Sequence, residues 1–161
     1  MKTLPVIEKI VVNAGIGRLT AMPNFKDKVL PEVTSEFATI VGQKPALRGA
    51  KKSIAGFKLR EGMVVGLTAT LRGARMKAFL DRMNKVVFPR VRDFRGISKK
   101  NIDERGNLTV GIREHTIFPE IIPENSKVAI GLQMTVVPKA PLTREEAINW
   151  YRSLGIPLMK D

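Results

Sequence analysis

Three stretches of the chain alternate, residue by residue, between apolar and small polar side chains, and a two-residue period confines them to β-strands with one buried face. In residues 63–72, Met63, Val65, Leu67, Ala69 and Leu71 share one side, opposite Val64, Gly66, Thr68, Thr70 and Arg72. In residues 107–112, Leu108, Val110 and Ile112 lie opposite Asn107, Thr109 and Gly111, and in residues 130–136, Ile130, Leu132, Met134 and Val136 lie opposite Gly131, Gln133 and Thr135. An earlier β-branched run, Val6 to Val12, reads as a further strand, ended by a turn at Asn13-Ala14-Gly15-Ile16-Gly17. Solvated strand faces ordinarily carry Lys, Glu and Arg. These offer hydroxyls, amides and glycines, which let another backbone approach closely.

Three helical patterns supply a cover for the apolar side. Phe25, Val29, Val33, Phe37 and Val41 recur every four residues, with Asn24 placed to cap, Pro31 expected to kink or split the helix, and Gly42 to end it. Met76, Phe79, Leu80, Met83, Val86 and Val87 form a second stripe, which Pro89 is expected to terminate. Thr143 and Glu146 are spaced as a capping box ahead of Ala147, Ile148, Trp150, Tyr151 and Leu154, with Gly155 and Pro157 as stop signals. The expected fold is α+β: an antiparallel or mixed sheet, helices packed on one face, and the other face open for a nucleic acid. With 161 residues the chain reads as a single domain over 1–161.

The charge is segregated. Residues 44–105 hold 17 basic and 5 acidic side chains, against 11 and 10 in the rest, so nearly all of the net +13 falls in that middle segment. Two glycine-containing stretches, about 44–62 and 89–106, read as mobile basic loops whose Lys and Arg suit phosphate contacts. Only Phe57 and Phe94 are aromatic there, and the polar strand faces carry none, which favours recognition by shape and phosphate over base stacking. A membrane surface is a poorer partner, because no basic amphipathic helix is present.

Much chemistry is excluded. With no Cys and one His, His115, the chain lacks a thiolate nucleophile, a disulfide and a multi-His or Cys metal site. Gly15-Ile16-Gly17 has neither a third Gly nor a following Gly-Lys-Ser/Thr, so no nucleotide loop is formed. His115 beside Glu114 is the one conceivable acid–base pair, and nothing else supplies a nucleophile. No cofactor is expected and no enzyme. No run of about 18 apolar residues and no signal-peptide core occur, so a soluble, cytoplasmic protein is expected.

Several motifs, in order, are recognisable: Gly42-Gln43-Lys44-Pro45; Lys51-Lys52-Ser53-Ile54-Ala55-Gly56-Phe57-Lys58; Thr70-Leu71-Arg72-Gly73; Pro89-Arg90-Val91-Arg92-Asp93-Phe94-Arg95-Gly96-Ile97; Gly111-Ile112-Arg113-Glu114; and Ile117-Phe118-Pro119-Glu120. From about Leu4 to the last helix the chain closely resembles the large-subunit ribosomal protein L5 family. The resemblance implies a non-enzymatic α+β protein of the central protuberance that binds 5S rRNA, reaches P-site tRNA and touches the small-subunit head. Its implied partners are 5S rRNA, 23S-type rRNA, P-site tRNA, a small-subunit head protein and neighbouring large-subunit proteins. Asn13, Gln43 and Thr70 match the family's 5S rRNA hydrogen-bonding residues, and the cations Lys44, Lys51, Lys52 and Arg72, with the Thr68 hydroxyl, complete the expected 5S rRNA site. The stretch from Ser53 to Gly62, with Gly56, Phe57, Lys58 and Arg60, matches the tRNA-facing loop. The region around 91–125 resembles the part that bridges to the small subunit, and Arg90, Arg92, Arg95, Lys99 and Lys100 are the expected rRNA or intersubunit contacts. Family members begin with a further helix, whereas this sequence starts almost at its first strand. A free-standing RNA chaperone or regulator using the same basic face is the alternative reading.

Overall fold

The computed structural model describes residues 6–57 and 60–160. Five strands, β1 (Ile7–Gly15), β2 (Ala46–Gly49), β3 (Val64–Leu71), β4 (Leu108–Ile112) and β5 (Leu132–Pro138), form one sheet in the order β2-β3-β1-β5-β4. With three helices, α1 (Leu30–Val41), α2 (Gly73–Arg82) and α3 (Arg144–Ser153), this open antiparallel sheet makes the chain an α+β protein, as its alternating patterns require. The alternation is visible in burial: Ile10, Val12 and Ala14 on β1, Leu108, Val110 and Ile112 on β4, and Leu132, Met134 and Val136 on β5 are all buried.

Contacts group the chain into two units. One comprises residues 12–69 and 112–132, in which Val33, Phe37, Ile40 and Val41 of α1, together with Leu67, Phe118 and Ile130, are buried. The other comprises residues 1–11, 70–111 and 133–161, where α2 buries Met76, Phe79 and Leu80 and α3 buries Ala147, Trp150 and Tyr151. Tyr151 carries its hydroxyl into this interior and donates to the Gly106 carbonyl. Burial, together with the nearby Asp103 carboxylate, pushes its ionisation well above the ordinary phenol value.

Several local expectations are corrected. Asn24 does not cap: it takes a left-handed backbone (φ 57) and its side chain makes no capping bond. A π turn over Phe25–Val29 follows and runs straight into α1, so the helical run changes type beside Pro31, the split expected there. The second helix repeats the device. A π turn over Met83–Val87 leads into a helical turn Phe88–Arg90, and the run ends there, one residue past Pro89. The wider turn also brings Val87 inward in place of Val86, which is 37% exposed. Gly42 does end α1, at φ 75 with its N–H on Ala38 O at 2.8 Å. The capping box of α3 is present, each of Thr143 and Glu146 bonding the other's backbone. The first strand continues through Asn13 to Gly15, beyond the turn expected at Asn13.

Candidate nucleic-acid interface

The stretch expected as a loop at 44–62 opens with an edge strand. β2 pairs antiparallel to β3 with Ala46 opposite Thr68, Leu47 opposite Leu67 and Arg48 opposite Gly66. Opposed residues share a face, so Ala46, Arg48, Gly66 and Thr68 lie together on one side of this pair. Thr68 donates from Oγ1 to Asn13 Oδ1 at 2.6 Å, which brings Asn13 onto the same side. Thr68 is nearly buried (7% exposed), while Asn13 is half-buried and Arg48 exposed. A polar pair is thus flanked by two positions with almost no side chain and by a guanidinium. Four residues of a strand too short to show a period conceal β2 from sequence reading, and with it the place of Arg48.

The other expected 5S rRNA residues are placed as follows. Gln43, half-buried, follows the end of α1, and Lys44 beside it is exposed. Lys51 and Lys52 are exposed on the bend just after β2. All of these belong to the unit that holds Asn13 and Thr68. Thr70 and Arg72 fall in the other unit; Thr70 follows Thr68 by two on β3 and so continues its face, and Arg72 stands exposed at the start of α2.

The expected tRNA-facing segment is tied at its base. The Ala50 N–H donates to Met63 O (2.7 Å) and the Gly62 N–H to Ala50 O (2.9 Å), while Ser53 Oγ accepts from the Glu61 N–H at 2.8 Å. Gly56 and Phe57 form a short 3-10 turn with Ala55, and Arg60 is exposed. Lys58 lies outside the described residues.

The stretch 89–106 is not free either. Phe94 stacks on Phe88 with ring centres 5.6 Å apart and planes within 6°. Ser98 Oγ accepts from the Lys100 N–H, opening a 3-10 turn over Lys99–Asn101. Asp103 then builds a tight turn, accepting from the N–H groups of Arg105 (2.8 Å) and Asn107 (2.9 Å) and from Asn107 Nδ2 (2.9 Å). Partial desolvation works to raise the Asp103 carboxyl, but the bonds from Asn107, Arg105 and Gly106 outweigh it and hold it below its ordinary value. Arg90, Arg92, Arg95 and Lys100 are exposed, and Lys99 is half-buried.

His115 has a different partner from the one its sequence neighbour suggests. It is fully buried, its Nε2 donates to Glu36 of α1, and Ser126 Oγ lies 3.1 Å from the same nitrogen. Nδ1 accepts from the Ile130 N–H at 3.2 Å. A nucleophilic triad needs the carboxylate on one ring nitrogen and the hydroxyl on the other. Here both sit on Nε2 and backbone holds Nδ1, so the cluster ties α1 to residues 115–130 and has no catalytic geometry. Among the described residues no group of three or more His, Cys, Asp or Glu could hold a metal, and no helix is long and apolar enough to cross a membrane.

Comparison with known proteins covers nearly the whole chain. Residues 2–60 match the family model of Ribosomal protein L5, and residues 64–158 match the model of that ribosomal family's C-terminus. The large ribosomal subunit protein uL5 of Halothermothrix orenii is 46% identical over 154 residues, covering 96% of this chain and 83% of the relative. Its counterpart from Limosilactobacillus fermentum is 49% identical over 156 residues, covering 97% and 84%.

Proposed function

Because this chain belongs to the ribosomal protein L5 family and is a non-enzymatic, rRNA-binding constituent of the large ribosomal subunit, we propose that its Asn13–Thr68 strand face binds 5S rRNA. The observation that carries this is the pairing of two neutral hydrogen-bonding side chains on a rigid sheet, beside the bare positions Ala46 and Gly66 and the exposed Arg48. Small neighbours admit a sugar–phosphate backbone, the amide supplies a directed donor, and Lys44, Lys51 and Lys52 supply the charge that positions but does not specify. Gln43 extends the same recognition, and in the other unit Thr70 and Arg72 also contact 5S rRNA.

The tied segment 53–62 contacts P-site tRNA, and Arg90, Arg92, Arg95, Lys99 and Lys100 meet 23S-type rRNA or the small-subunit head. The whole 161-residue chain acts as one RNA-binding domain. Membership in a family of subunit constituents favours this over a free-standing RNA chaperone. Footprinting of 5S rRNA with the parent protein and with Asn13→Ala tests the proposal: protection at a discrete set of nucleotides should weaken in the variant. An identical footprint would remove the strand face from the site.

A further inference from the structure

We infer that the C-terminal segment Ile156–Met159 is a positioning element for RNA binding, acting as an added strand that holds the basic stretch 91–101 in its binding shape. This rests on the reading that Arg92 and Arg95 meet rRNA, and it assigns a role to residues that carry none of that contact themselves. The geometry is a backbone clasp. The Ile97 N–H donates to Pro157 O at 2.7 Å, and the Met159 N–H donates to Ile97 O at 2.9 Å, a parallel bridge between Ile97 and Leu158. Ile97, Ile156 and Leu158 are buried, so the bonds are shielded from water on one side.

Gly96 makes the close approach possible. It has φ +113, and a Cβ there would stand 2.8 Å from Met159 N and 2.9 Å from its Cα, backbone atoms that cannot swing aside. Immediately before it, Arg95 is exposed, and Phe94 is stacked on Phe88. Arg95 therefore projects from a segment held at Phe94 on one side and at Ile97 on the other, and Arg92 from one held at Phe94 and at Val91, whose N–H donates to Phe88 O at 3.1 Å. An unpinned basic loop would have to be ordered on binding, at an entropic cost set against every phosphate contact it makes. The clasp settles that cost on folding.

The test compares four proteins for affinity to a 23S-type rRNA transcript across a salt series: parent, Gly96→Val, Met159→Pro and Arg92→Ala/Arg95→Ala. Gly96→Val forces the tail away, whereas Met159→Pro deletes a single donor and asks only for extended backbone at Leu158, so it guards against a variant that fails to fold. Hydrogen exchange should show loss of protection at Ile97 with the sheet amides unchanged. The double charge variant should bind less tightly, with a salt slope shallower by about one to two. Both clasp variants should weaken binding several-fold with a slope shallowed in the same way, and adding either to the double charge variant should cost nothing more. Clasp variants that bind like the parent, or whose losses add fully to those of the charge variant, would overturn the inference. A double charge variant that binds like the parent would instead overturn the reading beneath it.

Discussion

The Thr68 hydroxyl donates to the Asn13 side-chain oxygen at 2.6 Å across β3 and β1, which commits the Asn13 amide at its oxygen and leaves its N–H donors with no protein acceptor among the described residues. The two residues thus have separate jobs: Thr68 orients, and Asn13 presents. Asn13→Asp keeps the acceptor for Thr68 and replaces the donor by a carboxylate facing phosphate. It should leave thermal stability near that of the parent and weaken 5S rRNA binding by at least about tenfold, roughly 1.4 kcal/mol. Thr68→Val should cost about 1 kcal/mol of stability and weaken binding less. Filter binding at fixed salt with parallel thermal melts would read both. Parent-like affinity in Asn13→Asp would exclude a donor role.

Charge should act independently of this pair. If Lys44, Arg48, Lys51, Lys52 and neighbouring cations neutralise about five phosphates, log K for 5S rRNA should fall against log salt with a slope of roughly −3.5 to −4.5. Lys51→Ala or Lys52→Ala should each make it shallower by about one, whereas Asn13→Ala should leave it unchanged. An affinity insensitive to salt would rule out the phosphate account of the basic segment.

The tie at the base of segment 53–62 makes it removable. Since Ala50, Gly62 and Met63 close the hairpin by backbone bonds, deleting residues between Ser53 and Glu61 and joining the ends should leave the sheet and 5S rRNA affinity close to the parent. Reconstituted ribosomes carrying the shortened protein should retain P-site tRNA poorly. Equal losses in the two assays would place the segment inside the 5S rRNA site.

Acid should loosen the Asp103 turn. Its carboxyl is held below its ordinary value in the folded chain, so the stability it contributes is complete above the unfolded value and is lost as pH falls through the folded one. The difference in urea midpoint between the parent and Asp103→Ala should therefore be larger at a pH of about 7 than at about 3. A difference independent of pH would mean that the carboxylate charge takes no part.

What could be read from sequence followed from period and punctuation. Alternation at 108–112 and 132–138 is strong because one face is wholly buried, and the Thr143–Glu146 box and Gly42 act through bonds local to a few residues. The π turns beside Pro31 and ahead of Pro89 were not legible, because they leave no mark in composition. The partners of buried polar groups were equally hidden: His115 bonds Glu36, which is 79 positions away, and not adjacent Glu114. Both basic stretches read as mobile because their ties, β2 on β3 and Ile97 on Leu158, are backbone bonds between distant segments.

The strand order has a consequence for how the protein is made. β1 is synthesised first yet lies between β3 and β5, so one of its edges stays open until residues 132–138 have been translated. During that interval a Val- and Ile-rich strand offers unpaired N–H and C=O groups, the condition under which chains pair with one another instead of with themselves. Completion of the sheet is therefore a late event in synthesis, and the need for chaperone shielding should fall on the unfinished chain, ending abruptly once β5 emerges.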